Sequence, residues 1–222
     1  MKRDILLYIG AVLSVVASYA AYVWIPPEAT MGDLYRIVYL HVPVAWVCYL
    51  AFALSLIASI AFLTKRKHAY DRVAEVSAIL GLVYGAIALI SGSIWAKAAW
   101  GSYWNWDPRE TTTLILWIAY AGYISIRLSI GEIEKRGVIG AVYNILAFFT
   151  IPLSYLSIML LPTLHPMIAT PTEIFMTDPM IGTLFLSLIA ASIFFIYLLI
   201  ITLNVWSLEN RVNSLIYEKG GV

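Results

Sequence analysis

The chain has 222 residues, of which 62% are hydrophobic and 12% are charged, and its formal net charge is +1. A soluble domain carries about a quarter charged residues, so this chain has too little polar surface for water and its solvent must be lipid. The net charge of +1 argues against nucleic acid as a partner, because binding to nucleic acid depends on positive charge that displaces counterions. The single cysteine, Cys48, excludes an intrachain disulfide and a C-x-x-C metal site.

Six apolar runs are long enough to cross a membrane, which takes about 20 mostly apolar residues. None of the runs alternates strictly between apolar and polar residues, as the strands of a membrane β-barrel do. We therefore predict an all-α multi-pass membrane protein with a single domain over residues 1–222. The first run is longer than the apolar core of a signal peptide, about 7–15 residues, and is interpreted as a retained anchor. The six predicted transmembrane helices are 5–25, 37–63, 73–95, 112–130, 138–161 and 180–203.

Lysine and arginine are distributed unequally between the two sides of these spans. The loops and termini on one side hold eleven of them, and those on the other side hold Arg36, Lys97 and Arg109. Short cytoplasmic loops carry the excess of positive charge in membrane proteins. Both termini are therefore expected in the cytoplasm, while the connections 26–36, 96–111 and 162–179 are expected to face outward. The polar tail after Trp206 is expected to fray.

The third predicted span carries small residues at four-residue spacing. Ser77, Gly81 and Gly85 follow this spacing, and Gly92 lies further along. Small residues allow helices to approach closely in lipid, where packing replaces the hydrophobic driving force. The pattern predicts a helix-packing face.

Two of the three histidines belong to the predicted outer side. His41 lies near the outer end of the second span, and His165 follows the fifth span between Pro162 and Pro166. A lone histidine near an interface is often only a hydrogen-bonded structural residue. The pair admits a second interpretation, because two neutral imidazoles can ligate one haem iron from opposite sides. His68 lies in a cytoplasmic basic loop and is assigned no function.

The run Asp107-Pro108-Arg109-Glu110 is typical of a helix start. Aspartate at the N-cap, proline at the first helical position and glutamate at the third predict the beginning of the fourth span. The arginine there could pair with carboxylates of a ligand, as could Arg36. For both arginines the alternative is that the side chain extends to the membrane interface.

Tryptophan is concentrated around the same connection. An ordinary aromatic belt would distribute tryptophan over all the spans and both membrane faces. Here the aromatic rings form a candidate platform for a large planar ligand with a charged edge. Five of the eight tryptophans lie within 23 residues, at Trp95, Trp100, Trp104, Trp106 and Trp117.

The run W-G-S-Y-W-N-W-D-P-R-E-T, residues 100–111, resembles the Trp-rich "WWD" signature of haem-handling proteins in cytochrome c assembly. The segments Y-L-H-V-P-V-A-W, residues 39–46, and T-L-H-P, residues 163–166, resemble the two histidine segments of the haem exporter protein C family. The continuation D-P-R-E-T is closer to the larger cytochrome c synthetases of another assembly system. The chain lacks the additional spans and histidines of those synthetases.

The resemblance implies a haem-binding and delivery protein, not an enzyme, in the cytoplasmic (inner) membrane. Such proteins bind haem b as transported ligand at the outer face and present it to a membrane-tethered haem chaperone. They work with ABC transporter subunits and a small single-span subunit. By motif position, His41 and His165 are the implied axial ligands of the iron. The remaining implied haem-binding residues are Trp100, Gly101, Trp104, Trp106, Asp107 and Arg109.

Four alternatives stay open at this stage. One is a component of a cytochrome c synthetase that shares the WWD motif. A second is a membrane cytochrome b, which needs histidine pairs near both membrane faces. A third is an intramembrane enzyme that uses Glu110 and a histidine as acid and base. A fourth is a transporter that moves its substrate across the bilayer, which favours interrupted spans and polar midplane residues.

Overall fold

The structure, a computed structural model, describes residues 2–166 and 175–220. These residues form seven α-helices and no β-strand, which confirms the predicted all-α class. A π-helical turn, Ala20–Trp24, extends the first helix, and a 3-10 turn, Asp33–Ile37, leads into the second. The helices are α1 Lys2–Tyr19, α2 Val38–Lys65, α3 His68–Trp100, α4 Pro108–Ser129, α5 Ile133–Phe148, α6 Thr150–Leu160 and α7 Asp178–Gly220.

Six helical stretches in the described part of the chain are long and apolar enough to cross a membrane. Each of the six overlaps one predicted span, so the prediction of six transmembrane helices is confirmed. The orientation of the termini and the single-domain organisation stay predictions. The predicted connection 162–179 lies partly outside the described residues. The stretches are Asp4–Trp24, Asp33–Lys65, His68–Trp100, Pro108–Ser129, Ile133–Leu160 and Asp178–Ile216.

The fifth span and the C-terminal tail differ from the prediction. The fifth span is broken at Phe149 into α5 and α6. Pro152 explains the break, because it cannot donate a backbone hydrogen bond to the carbonyl of Phe148 and its ring clashes there. The tail after Trp206, which was expected to fray, is helical, since α7 continues to Gly220. The Arg72 guanidinium lies 4.4 Å from the centre of the Trp206 ring and ties α7 to α3.

The small residues of α3 form a packing face against α2, as predicted. A Cβ atom added to Gly81 would lie 2.5 Å from Cε1 of Phe52, and one added to Gly92 would lie 3.0 Å from Cε1 of His41. Gly85 makes a similar approach near the middle of the face. The glycines therefore set the distance between α2 and α3. Gly92 also packs directly against His41, one of the two histidines predicted to bind the haem iron.

Gly81→Ala is expected to destabilise the protein by about 1–3 kcal/mol, the usual cost of overpacking a core. The new methyl group would collide with Phe52, whose ring stacks on Tyr120 with 3.5 Å between ring centroids and cannot easily withdraw. Thermal unfolding in detergent measures the effect. The matched control is Gly182→Ala, where the added Cβ meets nothing within 4 Å. A loss of stability in the control equal to that of Gly81→Ala would contradict the steric explanation.

A buried ion pair joins α3 and α4 at the end of the helices away from His41. The Arg127 guanidinium donates to both carboxylate oxygens of Asp71, at 2.6 and 2.9 Å. Arg127 is only 1% exposed, and its Nη2 also lies 3.5 Å from Oε2 of Glu75. Glu75 is in turn held by Arg72 at 2.7 Å. Each charge in this cluster therefore has an opposite charge beside it.

Candidate functional site

A cavity opens between the N-terminal part of α2, the C-terminal part of α3 and the start of α4. It encloses about 990 Å³ of empty space, counting the part open to solvent. Small-molecule and cofactor sites are lined mostly by apolar groups, as this cavity is. Five of the predicted site residues line it, namely His41, His165, Trp100, Trp104 and Arg109.

The two predicted ligand histidines face the same cavity, although they are 124 positions apart in the sequence. Their ring centroids are 6.5 Å apart and the ring planes are inclined by 39°. Imidazoles that bind one metal ion from opposite sides, each at a metal–nitrogen distance of about 2 Å, have ring centres roughly 6 Å apart. The histidine pair is therefore spaced to hold one metal ion between its rings.

The tautomer of His41 follows from its hydrogen bonds. The Ser91 hydroxyl donates its one proton to the carbonyl of Ala88, at 3.2 Å. The same hydroxyl lies 2.9 Å from Nδ1 of His41, and with its proton on the Ala88 carbonyl we assign it as the acceptor in this contact. Nδ1 therefore carries the proton and Nε2 keeps its lone pair. In metal-binding histidines, a hydrogen-bond partner on one ring nitrogen commonly leaves the other nitrogen free for the metal in this way.

If the histidine pair binds the haem iron expected from the sequence, Ser91→Ala should weaken that binding about 10-fold or more, because loss of such an outer partner typically costs 10- to 100-fold in metal affinity. Without the serine, Nδ1–H of His41 loses its acceptor, and the proton is no longer held on Nδ1 and can occupy Nε2, the nitrogen that would bind the metal. Haem titration followed by absorbance measures the change. The matched control is Ser129→Ala, because Ser129 makes the same kind of bond to a carbonyl three residues earlier, far from any histidine. Equal affinities in the two variants would contradict the assignment.

His165 carries its proton on the same nitrogen. Its Nδ1 lies 3.1 Å from the carbonyl oxygen of Pro166, which can only accept, so Nδ1–H donates and Nε2 is free. Burial lowers the pKa of His165, and the charge of Arg109 lowers it further, against the Pro166 carbonyl and Asp107, which raise it. The imidazole is therefore neutral at physiological pH, as a metal ligand must be.

The tryptophans differ in burial: Trp95 is buried, Trp100 and Trp104 are half-buried, and Trp106 is exposed. Trp95 lies 9% exposed beside the cavity, with its ring 6.4 Å from the ring of His165 and edge-on to Trp100 at 4.9 Å. Trp104 contacts Trp106 edge-on at 5.8 Å between ring centroids. Trp106 is 72% exposed and is not among the described residues that line the cavity. Trp95, Trp100 and Trp104 thus line the cavity, while the ligand platform itself stays a prediction.

Two positions in the Trp-rich connection have left-handed backbone conformations. Gly101, at φ +81°, ends α3, and its amide donates to the carbonyl of Lys97. Trp106 has φ +57°, which is strained for a bulky residue. Such strain, about 1–3 kcal/mol, persists where the surroundings determine the backbone, often at functional sites. Gly101 was predicted to bring the backbone close to the haem. It forms the turn after α3 and is not among the described residues that line the cavity.

Asp107 connects the Trp-rich connection to the segment of His165. Its carboxylate accepts from the amide of Arg109 at 2.9 Å, which confirms it as the N-cap of α4. It also accepts from the Thr163 hydroxyl, at 2.7 and 2.8 Å, and from the amide of Leu164 at 2.7 Å.

The pKa of Asp107 reflects a balance between burial and these bonds. Burial acts to raise the pKa, but the hydrogen bonds from Thr163, Leu164 and Arg109 outweigh it and bring the pKa below its usual range. The carboxylate is therefore charged. It accepts from backbone amides and a hydroxyl, and Asp107 is not among the described residues that line the cavity.

The two arginines considered as partners for ligand carboxylates differ. Arg109 lines the cavity, donates to the carbonyl of Ser154 at 2.6 Å and lies 5.9 Å from the centre of the Tyr49 ring. Arg36 is engaged by Asp33 at 2.7 Å and by the carbonyls of residues 21 and 25. Arg109 is thus the arginine that the cavity can offer to an anionic group.

Glu110 lines the cavity but does not complete the expected capping box. Its carboxylate accepts from the amide of Asn105 at 3.0 Å, within the Trp-rich connection, instead of from Asp107. The glutamate therefore holds the shape of that connection against the first turn of α4.

Three residues beside the predicted site were absent from the sequence-based assignment. Trp95 carried a signal, since it belongs to the tryptophan cluster, but it lies inside a span. Ser91 and Thr163 carried none, because a serine within an apolar span and a threonine two residues before a histidine are too common to indicate a contact. Their relevance comes from hydrogen bonds to His41 and Asp107 that only the folded chain reveals.

Comparison with known proteins gives a consistent match. The family model described as "Heme exporter protein C" matches residues 2–218. The protein of that name from Rhodobacter capsulatus is 38% identical over 101 residues, covering 46% of this chain and 42% of the relative. That from Bradyrhizobium diazoefficiens is 30% identical over 161 residues, covering 72% and 58%. That from Escherichia coli is 32% identical over 160 residues, covering 70% and 65%. The chain thus spans roughly two fifths to two thirds of the length of these relatives.

Proposed function

Because the chain belongs to the haem exporter protein C family, we propose that it binds haem b in the cavity between α2, α3 and α4 and delivers it for cytochrome c maturation. The observation that carries the proposal is the histidine pair, with 6.5 Å between ring centroids and both Nδ1 protons committed to neighbours. Two neutral imidazoles with free Nε2 atoms suit the two axial positions of one iron.

The other lining residues fit the remaining parts of a haem. The indoles of Trp100 and Trp104 offer apolar area to the porphyrin, whose burial contributes about 25 cal/mol per Å². Arg109 offers a guanidinium to a propionate at the porphyrin edge, where charge-assisted bonds are strong. In this proposal Asp107 holds the Trp-rich connection in shape. Gly101 forms the turn after α3, and Trp106 lies at the rim of the cavity.

The proposed side of the membrane rests on charge. Eleven of the fourteen Lys and Arg residues belong to the loops and termini at the end of the helices opposite the histidines. With the positive end in the cytoplasm, the cavity opens on the outer face of the cytoplasmic membrane. Haem delivered there requires an acceptor outside, for which we propose a membrane-tethered haem chaperone. ABC transporter subunits and a small single-span subunit are the further proposed partners.

The proposed role is capture and release, without a chemical step performed by this chain. Glu110, the candidate acid or base, is bonded to a backbone amide. A cytochrome b would need a histidine pair at the opposite end, where His68 stands 57% exposed beside Glu134. The family match favours haem delivery over a synthetase component.

A visible spectrum of the detergent-purified protein, followed by transfer to the chaperone, tests the proposal. We expect a low-spin spectrum of haem with two imidazole ligands, and transfer of that haem to the chaperone on mixing in detergent. Trp104→Ala should retain the low-spin spectrum and impair transfer, because it removes platform area and leaves the ligands. A protein that neither purifies with haem nor takes it up when haem is added would refute the proposed function.

A further inference from the structure

The segment that carries His165 has little regular structure of its own. Residues 161–166 follow the end of α6 and contain two prolines, which remove backbone donors and prevent a helical turn. His165 nevertheless stands within 6.5 Å of His41, measured between ring centroids. Something outside the segment must therefore fix the position of its imidazole.

Three groups make the connection, and we call them the Asp107 clasp: the Asp107 carboxylate, the Thr163 hydroxyl and the Leu164 amide. The Asp107 carboxylate is itself fixed, because it caps α4 by accepting from the amide of Arg109. The Thr163 hydroxyl donates to that carboxylate at 2.7 and 2.8 Å, and it accepts from the amide of His165 at 3.1 Å. One hydroxyl thus links the helix cap directly to the backbone of the histidine.

We propose that Thr163 is a positioning residue for His165, and that the Asp107 clasp sets the distance between the two histidines. This inference rests on the proposed function for its consequence, because Thr163 acts on haem only through His165. The clasp also makes the Trp-rich connection and the His165 segment move as one unit. A displacement of either would withdraw one axial ligand from the iron.

Valine in place of Thr163 keeps the size and the branching of the side chain but removes both hydrogen bonds. Asp107 then keeps its bonds to the two backbone amides, so the cap of α4 remains. The His165 amide loses its acceptor. Serine in place of threonine keeps the hydroxyl and loses only a methyl group, so Thr163→Ser should restore what Thr163→Val removes.

The first measurement is the spin state of bound haem. Thr163→Val should shift the spectrum from six-coordinate low-spin toward the five-coordinate state expected of His165→Ala, with affinity reduced roughly 10- to 100-fold, as for loss of other partners behind a metal ligand. Added free imidazole should restore the low-spin bands. Thr163→Ser should keep them without it. Thr64→Val is the matched control, because the Thr64 hydroxyl binds only carbonyls of its own helix.

The second measurement does not need haem. Spin labels on Tyr103→Cys and Leu164→Cys, in a Cys48→Ser background, report the distance between the two connected segments, since both native side chains are exposed, at 59% and 58%. We expect a narrow distance distribution that broadens with Thr163→Val and stays narrow with Thr163→Ser.

The two measurements separate the inference from the proposed function. An unchanged distance distribution in Thr163→Val would overturn the inference whether or not haem binds, and so would a broadened distribution with an intact low-spin spectrum. If His41→Ala and His165→Ala leave the spectrum unchanged, the proposed ligation fails, and broadening by Thr163→Val still supports the clasp as the anchor of His165.

Discussion

The double variant His41→Ala with His165→Ala is expected to purify without a low-spin Soret band. Among the described residues that line the cavity, only these two histidines offer a ring nitrogen with a lone pair for the iron. In each of them Nδ1 is hydrogen-bonded, which leaves Nε2 free. Each single variant should bind haem more weakly than wild type. The loss should exceed the roughly 10- to 100-fold that follows when only a hydrogen-bond partner of a metal ligand is removed. Haem content per protein after purification, and titration of the haem-free protein, measure both effects.

The single variants should also differ from one another. His41 lies one turn into α2, and its surroundings are formed by Ser91 and Gly92 of α3. His165 belongs to a segment without regular structure that depends on the Asp107 clasp. We therefore expect externally added imidazole to rescue His165→Ala more readily than His41→Ala, because the His165 side of the cavity lies outside the helices whereas the place of His41 is enclosed between α2 and α3.

His68→Ala is the control for these variants, since His68 is exposed near Arg66 and Glu134 at the other end of the helices. It should leave haem content and spectrum unchanged. A low-spin spectrum that survives in the double histidine variant would remove axial ligation by this pair. The haem would then have to be held by groups other than the two imidazoles.

The helices could be predicted from the sequence because membrane spans are a one-dimensional signal. Runs of about 20 apolar residues need no knowledge of their neighbours, and all six were found. The break of the fifth span was also encoded, by Pro152, but the apolar run continues across it and hides the interruption. Hydropathy thus identified a span where hydrogen-bond geometry produces two helices.

The site was only partly predictable, for a physical reason. The pairing of His41 with His165 followed from their expected position on one side of the membrane, and the structure brings the rings to one cavity. The N-cap role of Asp107 followed from the sequence, but its contact with the His165 segment did not, because its partner Thr163 is 56 positions away and nothing local marks the contact. Residues that bind a ligand carry recognisable chemistry, whereas residues that hold them in position are ordinary donors and acceptors.

Removal of Arg127 is expected to have the largest effect on stability. Arg127→Met leaves the carboxylate of Asp71 buried, at 6% exposure, without the guanidinium that donates to both of its oxygens. Breaking one side of a buried ion pair costs about 3–5 kcal/mol, because an uncompensated charge stays in a poorly solvated place. Unfolding in detergent, followed by tryptophan fluorescence, should show a correspondingly lower stability.

A double-mutant cycle distinguishes the pair from the side chain alone. Adding Asp71→Leu to Arg127→Met removes both charges, and such replacements are often neutral or stabilising. The double variant should therefore recover much of the stability that the single variant loses, a coupling that only interacting residues show. Glu75 loses its 3.5 Å contact with Arg127 in both variants and keeps Arg72 as its partner, so the difference between the two variants reports on the unpaired Asp71 carboxylate.

The exposed pair of Arg66 and Glu134 supplies the control at the same end of the helices. Its atoms are 3.2 Å apart, but the side chains are 55% and 51% exposed, so Arg66→Met should change stability by only about 0–1 kcal/mol. If Arg127→Met cost no more than Arg66→Met, the buried pair would not be what joins α3 to α4. Both helices continue from this pair to the cavity, where α3 carries Ser91 and α4 begins at the Asp107 cap. Loss of their alignment in Arg127→Met should therefore lower haem affinity as well, and the double variant should recover both properties together.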